Sequence, residues 1–267
     1  MILYGDARQV PLPSNSVDAV VTSPPYFSLR RYGDSELEIG VGSLGKYIED
    51  IRQVSSEVAR VMKPEGVYWL NIGDTASGSG GAGGDYNRGG AREGQPRYRQ
   101  GDTGIPPMSW CLVPQRVAIA LQDDGWLVRS VITWSKERLR PESLAHVKRP
   151  GVSSETILML TQQRKYKFNH EQLVDRGDVW TFPPQVARKK SHLAPFPDEL
   201  ARRCILASTD EGDVVFDPFV GSGTTIHVAE SLGREGVGLD LYRFEFAQEG
   251  LDAETPPEGG GSELGAD

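Results

Sequence analysis

The sequence predicts an α/β fold with a mostly parallel sheet of seven strands and helices on both faces. Short apolar segments suited to strands alternate with segments whose apolar residues recur at helical spacing. This alternation is typical of parallel sheets, because each crossover between parallel strands needs a long connection, usually a helix. Two of the apolar segments run directly into polar loops. The carboxyl edge of such a sheet is where ligands bind, so we expect a site there.

The strand candidates are short apolar runs bounded by turn residues. Their lengths suit strands rather than helices. In chain order they are Ile2–Tyr4, Ala19–Val21, Val67–Asn71, Leu127–Trp134, Thr156–Thr161, Val214–Phe216 and Glu235–Leu239.

Four segments have helical periodicity and recognisable ends. In Lys46–Met62 apolar residues form one stripe, and the following Pro-Glu-Gly sequence ends it. A glycine follows Val113–Asp124 and another follows Thr224–Leu232, as is common after a helix. Pro197–Ala207 begins with proline, which suits a first helical turn.

The composition indicates a cytoplasmic protein that has no membrane association. The 267 residues are 38% hydrophobic, and no apolar run approaches the roughly 18 residues of a membrane span. Charged residues appear at the start of the chain before any apolar region, so we expect no signal peptide. Cys111 and Cys204 have no metal-ligand spacing, and the four histidines are scattered. We therefore expect two free thiols and no metal site.

The charge is unevenly distributed. The net charge is −8, yet residues 129–190 contain 13 Lys and Arg against 6 Asp and Glu. This basic segment is either a solvated face or a surface that follows phosphates. The candidates for DNA contact are Arg30 and Arg31, near the start of the chain, and eight residues of the basic segment: Lys136, Arg138, Arg140, Lys148, Arg149, Arg188, Lys189 and Lys190.

Two segments lack the apolar residues of a core. The glycine-rich segment Ala76–Gly104 contains four arginines, and is predicted to be a mobile loop that either contacts DNA or is a plain insertion. Residues 252–267 are predicted to form a disordered acidic tail.

The loop after Val214–Phe216 is the most informative motif. It reads Asp-Pro-Phe-Val-Gly-Ser-Gly-Thr and leads from a strand into a helix. A Walker A loop needs lysine after its last glycine, and Thr224 stands there. A dinucleotide fingerprint needs a small residue three positions after Gly223, and Ile226 stands there. These mismatches argue against a nucleoside-triphosphate site and against a dinucleotide site.

The same loop suits S-adenosylmethionine. Asp217 can pair with an ammonium group, and Gly221 and Gly223 let the backbone approach a sugar and a thioether. Asp240 ends the next strand, 23 residues after Asp217, where it could accept both ribose hydroxyls.

The second motif, Ser23-Pro24-Pro25-Tyr26, follows the strand Ala19–Val21. The prolines fix the backbone and leave carbonyl oxygens as acceptors. An aromatic ring with acceptors suits an extruded base whose amine is to be methylated, because accepting its hydrogens frees the nitrogen lone pair. Methylation of a ring carbon would need a cysteine nucleophile, normally in a Pro-Cys pair, and neither cysteine follows a proline. The four residues are therefore the predicted catalytic residues.

Taken together, the two motifs resemble those of the DNA amino-methyltransferases in their permuted β-group order. In that group the catalytic motif precedes the cofactor loop, as Tyr26 precedes Asp217. Gly5-Asp6 is similar to the family's adenine-contacting pair, and the segment from His192 to Pro197 is similar to one that lines the methionine site. Val179-Trp180 also matches a family dipeptide.

The resemblance implies a Rossmann-like, S-adenosylmethionine-dependent methyltransferase fold with one antiparallel strand. It implies one catalytic domain over residues 1–251, with DNA contacts from residues 136–190. The predicted cofactor-binding residues are Asp6, Thr22, Phe196, Asp217, Pro218, Phe219, Gly221, Ser222, Gly223, Thr224 and Asp240.

The predicted reaction is transfer of a methyl group from S-adenosyl-L-methionine to an exocyclic amine of a flipped-out base in double-stranded DNA. The resemblance also implies the base: family members that act on N6 of adenine more often have Asp or Asn at the position of Ser23, so N4 of cytosine is favoured and N6 of adenine is the alternative. An RNA base, a protein amide or a non-catalytic DNA-binding module are further alternatives. A companion restriction endonuclease is one possible partner that the sequence does not decide, and the protein could act as a monomer or a homodimer.

Overall fold

The computed structural model describes residues 1–29, 31–33, 35–78, 100–137, 148–185 and 197–242. Most of the predicted glycine-rich loop, the predicted acidic tail and Phe196 lie outside these ranges. Within them, the strands are β1 (Ile2–Tyr4), β2 (Val17–Thr22), β3 (Met62–Ile72), β4 (Leu127–Ser135), β5 (Ser154–Thr161), β6 (Val179–Thr181), β7 (Val214–Asp217) and β8 (Glu235–Asp240). The α-helices are α1 (Leu44–Val61), α2 (Val113–Asp123), α3 (Asp198–Ser208) and α4 (Thr224–Ser231).

One sheet joins the eight described strands in the order β1-β8-β7-β2-β3-β5-β4-β6. Strand β5 runs antiparallel to both of its neighbours, and the other five pairs are parallel. The mostly parallel sheet with one antiparallel strand is therefore confirmed.

The predicted count of seven strands is wrong, because β6 adds an eighth. This edge strand has three residues, and Trp180 is buried between the exposed Val179 and Thr181. A segment this short shows no periodicity of its own. It becomes a strand because Trp180 pairs with Trp134 of β4, a partner remote in the chain.

Helices cover both faces, as predicted. Buried residues of α1 and α2 pack with Val20, Leu70 and Phe216 on one face of the sheet. Buried residues of α3 and α4 pack on the opposite face, with Val21 and Trp69 among the sheet residues there. Successive residues of a strand point to opposite faces, so neighbouring apolar residues of β2 serve the two cores separately.

The sheet changes direction between β2 and β7. From β2 the chain passes through α1 to β3 on one side, and from β7 it passes through α4 to β8 on the other. In open α/β sheets this reversal leaves a crevice at the carboxyl ends of the two strands, where ligands bind. Both motifs found in the sequence begin at this crevice.

Among the described residues, no helix is long and apolar enough to cross a membrane. The part of the chain that the structure describes also contains no cluster of His, Cys, Asp or Glu suited to a metal ion. Both cysteines are free and buried.

Candidate active site

The two motifs meet through a direct hydrogen bond. Thr22 ends β2 and Asp217 ends β7, and the Thr22 hydroxyl donates to Oδ1 of Asp217 at 2.5 Å across 195 residues of sequence. The Thr225 hydroxyl donates to Oδ2 at 2.7 Å, and the backbone N–H of Phe219 donates to Oδ1 at 3.0 Å. The predicted catalytic loop, Ser23–Tyr26, and the predicted cofactor loop, Asp217–Thr224, therefore start from one shared contact.

Asp217 is almost enclosed, with 4% of its surface exposed. Burial raises the pKa of its carboxyl to about 6, although the hydrogen bonds from Thr22 and Thr225 act in the opposite direction. A carboxylate has about four acceptor positions, and these three donors leave one for a ligand. One further donor such as an ammonium group would complete the set.

The glycine loop is held by Asp240 at the end of β8. Its carboxylate accepts the N–H of Gly221 at 2.9 Å and the N–H of Tyr242 at 2.9 Å. Gly221 and Gly223 have φ values of 49° and 83°, a region that favours glycine. Burial raises the pKa of Asp240. Asp240, the residue predicted to bind the ribose hydroxyls, therefore also shapes the loop that would hold the cofactor.

Loop residues between these two carboxylates differ in exposure. Pro218 is buried, Phe219 and Thr224 are half-buried, and Ser222 is exposed. Contacts of these residues with the cofactor stay predictions. Thr22 is fully buried, and its contact with the cofactor likewise stays a prediction.

Asp6 lies near the same edge but has a partner of its own. The N–H of Gly5 donates to the backbone oxygen of Asp240 at 2.9 Å, which places the Gly5-Asp6 pair beside β8. The Asp6 carboxylate binds the guanidinium of Arg8 at 2.9 Å, and Arg8 also binds Asp50 at 2.8 Å. The structure thus shows Asp6 fixing Arg8, and its contact with adenine stays a prediction.

The catalytic loop has its tyrosine hydroxyl turned into the protein. The Tyr26 hydroxyl donates to Oε2 of Glu155 at 2.6 Å and accepts from Nδ2 of Asn71 at 2.7 Å. Burial is the main cause that raises the pKa of Tyr26 well above its ordinary value, so the hydroxyl keeps its hydrogen. Oγ of Ser23 lies 3.3 Å from the tyrosine oxygen. Pro24 is buried and Pro25 half-buried.

Sequence reasoning missed Asn71 and Glu155. Each is a polar residue at the end of an apolar strand, Asn71 near the end of β3 and Glu155 near the start of β5. Such residues are common at strand ends, so only the antiparallel pairing of β3 with β5 distinguishes these two.

A family model described as DNA methylase matches residues 17–248, which span both loops and the strands between them. The chain belongs to this family. The methylase is 38% identical over 90% of its length to the type II methyltransferase M.SmaI of Serratia marcescens, and it covers 86% of that protein.

Two solved structures share the fold of this methylase. The PvuII DNA methyltransferase, named as cytosine-N4-specific, has a TM-score of 0.69 at 20% identity, covering 90% of this chain and 81% of that one. A Thermus thermophilus protein assigned as a DNA modification methylase, in complex with S-adenosyl-L-methionine, has a TM-score of 0.65 at 25% identity, covering 94% and 92%. The methylase is a DNA amino-methyltransferase that uses S-adenosyl-L-methionine.

The residues at the crevice fit this cofactor. Asp217 has one acceptor position left for a cation, and Asp240 is a half-buried carboxylate beside an open glycine loop. An ammonium group and a pair of hydroxyls are hydrogen-bond donors, so both carboxylates have the chemistry that the cofactor requires.

The predicted DNA-contact residues of the methylase fall into three groups. Lys136 is 8% exposed and paired with Glu155, so the structure does not support a phosphate contact for it. Arg31 pairs with Glu38 at 3.4 Å, Arg149 stacks on the Trp110 ring at 4.8 Å, and Lys148 is exposed. Outside the described residues lie Arg30, Arg138, Arg140, Arg188, Lys189 and Lys190.

Proposed function

We propose that the enzyme methylates N4 of a cytosine that is flipped out of double-stranded DNA at a specific sequence. The observation that carries this is the hydrogen bond of 2.5 Å between Thr22 and Asp217. It joins the strand that leads into Ser23 to the strand that leads into the cofactor loop, so a base held by one loop would face a methyl donor held by the other.

The catalytic loop supplies what an amine of this kind needs. The lone pair of such an amine is delocalised into the ring, which makes the nitrogen a poor nucleophile. The Ser23 hydroxyl and the Pro24 carbonyl would accept its two hydrogens and favour a pyramidal nitrogen. The Tyr26 ring would stack on the base. No covalent intermediate would form, so we expect most of the rate to come from alignment and desolvation of the reacting groups.

The cofactor would be held by two carboxylates. Asp217 would accept the methionine ammonium in its remaining position, and Asp240 would accept the ribose hydroxyls. When bound, the cofactor supplies a methyl group on a positively charged sulfur. The backbone of the loop from Pro218 to Thr224 would lie against it.

Two features support the choice of cytosine. The first position of the catalytic motif is Ser23, and a chain of the same fold is named as cytosine-N4-specific. The type II naming of M.SmaI supports a companion restriction endonuclease. Arg31, Lys148 and Arg149 are the described candidates for DNA contact.

The test is to incubate the enzyme with labelled S-adenosyl-L-methionine and DNA, then digest the DNA to nucleosides. We expect the label in N4-methylcytosine, and sequencing of the modified positions should return one recognition sequence. Label in N6-methyladenine would overturn the assignment of the base. Label in RNA or protein only would overturn the DNA substrate.

Cofactor affinity should depend on pH through Asp217. Because its pKa is about 6, acidification below that value neutralises the carboxylate and removes its attraction for the ammonium. We expect S-adenosyl-L-methionine to bind roughly tenfold more weakly at pH 5 than well above pH 6, the fraction expected for one titrating group. Calorimetry across this range measures it, and equal affinity at both ends would remove the ammonium contact.

The raised pKa of Asp217 affects cofactor binding and folding stability in opposite directions as pH rises. The folded pKa lies above the ordinary 3.8, so the folded protein binds this proton more tightly than the unfolded chain does. Asp217 alone therefore makes the free energy of unfolding decrease as pH rises from about 4 to about 6. The variant Asp217→Asn should lose both dependences, which makes it the control.

A further inference from the structure

Two polar side chains of the catalytic loop meet three that lie on or directly after the neighbouring strands β3, β4 and β5. Ser23 and Tyr26 belong to that loop, Asn71 lies on β3, Lys136 follows β4, and Glu155 lies on β5. Lys136, Tyr26 and Asn71 each donate a hydrogen bond to Glu155. Asn71 and Ser23 each donate one to the tyrosine oxygen. The sheet order places β3, β5 and β4 side by side, which is what assembles the cluster.

Burial makes the charge at the base of this cluster consequential. The side chains of Lys136 and Glu155 are 11% and 8% exposed, and the Lys136 ammonium donates to Oε1 of Glu155. The same ammonium lies 4.7 Å from the centre of the Trp134 ring. A buried charge is tolerated when it is paired and hydrogen-bonded. The Lys136 ammonium therefore pairs with the negative charge of Glu155, and this carboxylate accepts hydrogen bonds from its other neighbours.

An ionised carboxylate only accepts hydrogen bonds, so it commits the hydrogens of its partners. Oε2 of Glu155 lies 2.6 Å from the Tyr26 oxygen, and the hydroxyl hydrogen of Tyr26 points to it. The tyrosine oxygen is then an acceptor, and the Ser23 hydroxyl donates to it at 3.3 Å. The direction of each bond follows from the charge on Glu155.

This direction leaves Ser23 as an acceptor toward the crevice. A hydroxyl has one hydrogen and two lone pairs. Its hydrogen is given to Tyr26. The two hydrogens of the Asn71 amide have nearer acceptors in Tyr26 at 2.7 Å and Glu155 at 3.2 Å, whereas Oγ of Ser23 lies 3.4 Å from Nδ2. At least one lone pair of the serine oxygen therefore remains for an N–H from a substrate.

We propose that Glu155 is a positioning residue for methyl transfer. Held by Lys136, its carboxylate orients the chain Glu155–Tyr26–Ser23 so that the serine oxygen accepts a hydrogen of the target amine. The inference rests on the proposed role of Ser23 and adds the group that sets its hydrogen-bonding direction. Glu155 touches neither base nor cofactor in this scheme and acts through Tyr26.

The variant Glu155→Gln tests the proposal. Glutamine has a similar shape, but its amide can donate to the tyrosine oxygen and release the tyrosine hydrogen toward Ser23. We expect the single-turnover rate of methylation to fall about 10- to 100-fold, the scale of a misaligned reacting group. The dissociation constants for S-adenosyl-L-methionine and for DNA should stay within about threefold of the parent's, because neither ligand touches this residue.

Tyr26→Phe removes the hydroxyl while keeping the ring, and should slow the same step by a similar factor. Because the two changes interrupt one chain, the double variant should be no slower than the slower single variant. Glu65→Gln is the matched control, since Glu65 lies exposed near the other end of β3. It should retain the parental rate.

The outcomes separate this inference from the proposed function. A parental rate in Ser23→Ala would remove the role of Ser23 itself. Loss of methylation in Ser23→Ala with parental rates in Glu155→Gln and Tyr26→Phe would overturn only the role of Glu155. Additive losses in the double variant, or a loss explained by weaker ligand binding or a lower melting temperature, would also overturn it.

Discussion

Replacing Asp217 by alanine should weaken binding of S-adenosyl-L-methionine at least about 30-fold, because removing one partner of a buried charge pair costs about 2–5 kcal/mol. The cofactor's ammonium would lose its proposed contact with the Asp217 carboxylate. The loop would also be held less firmly, because the N–H of Phe219 and the hydroxyl of Thr22 lose this acceptor. The Thr225 hydroxyl would keep only the Val21 carbonyl at 3.4 Å. Methylation at low cofactor concentration should be abolished.

Stability should fall in the same variant. Buried donors left without an acceptor cost about 1–3 kcal/mol, so the free energy of unfolding should decrease by an amount of that order in denaturant titrations. The variant Asp217→Asn separates the effects, because it keeps the volume and loses the charge. The cofactor affinity of Asp217→Asn should fall, but its free energy of unfolding should decrease less than that of Asp217→Ala.

Calorimetry with the cofactor and a gel-shift assay with DNA measure the two ligands separately. We expect DNA binding to persist in part in Asp217→Ala. Asp123→Ala, an exposed position at the end of α2, should behave as the parent does. Cofactor affinity in Asp217→Ala equal to the parent's would exclude the ammonium contact.

Gly73→Ala is expected to have the second large effect, and on a different ligand. Gly73 follows β3, and a Cβ added to it would lie 2.5 Å from Cε2 and 2.7 Å from Cδ2 of Tyr26. The ring cannot yield freely, because its hydroxyl is bonded to Glu155 at 2.6 Å and to Asn71 at 2.7 Å. A single methyl group should therefore displace the catalytic loop.

The expected result is a methylation rate about 100-fold lower, as for a reacting group misplaced by about 1 Å. Cofactor affinity should remain parental, since Asp217 and its partners are untouched. Gly45→Ala is the matched control, because a Cβ there meets nothing within 4 Å. Single-turnover kinetics on both variants decide the matter, and a parental rate in Gly73→Ala would show that the position of Tyr26 does not limit the reaction.

Local sequence predicted most of the secondary structure. The helix predicted at Lys46–Met62 lies at Leu44–Val61, and the strand predicted at Val67–Asn71 is part of Met62–Ile72. Apolar periodicity reports burial one element at a time, which is why these segments are readable without partners. It contained no signal for the three-residue strand β6.

Charge was harder to interpret from sequence. Lys136 and Arg149 both stand in the basic segment, and both were predicted to contact DNA. In the structure Lys136 is buried against Glu155, whereas Arg149 lies on the ring of Trp110. Which group a cation contacts depends on residues that are distant in the chain, so a count of charges cannot separate the two cases.

By itself, the sequence determined the alternation of strands and helices, the two loops and their chemistry, because each depends on residues adjacent in the chain. Only the tertiary structure decided that Thr22 binds Asp217 and that Glu155 lies under Tyr26. Those contacts follow from the order of strands in the sheet, and that order is set by packing on both faces rather than by any local pattern.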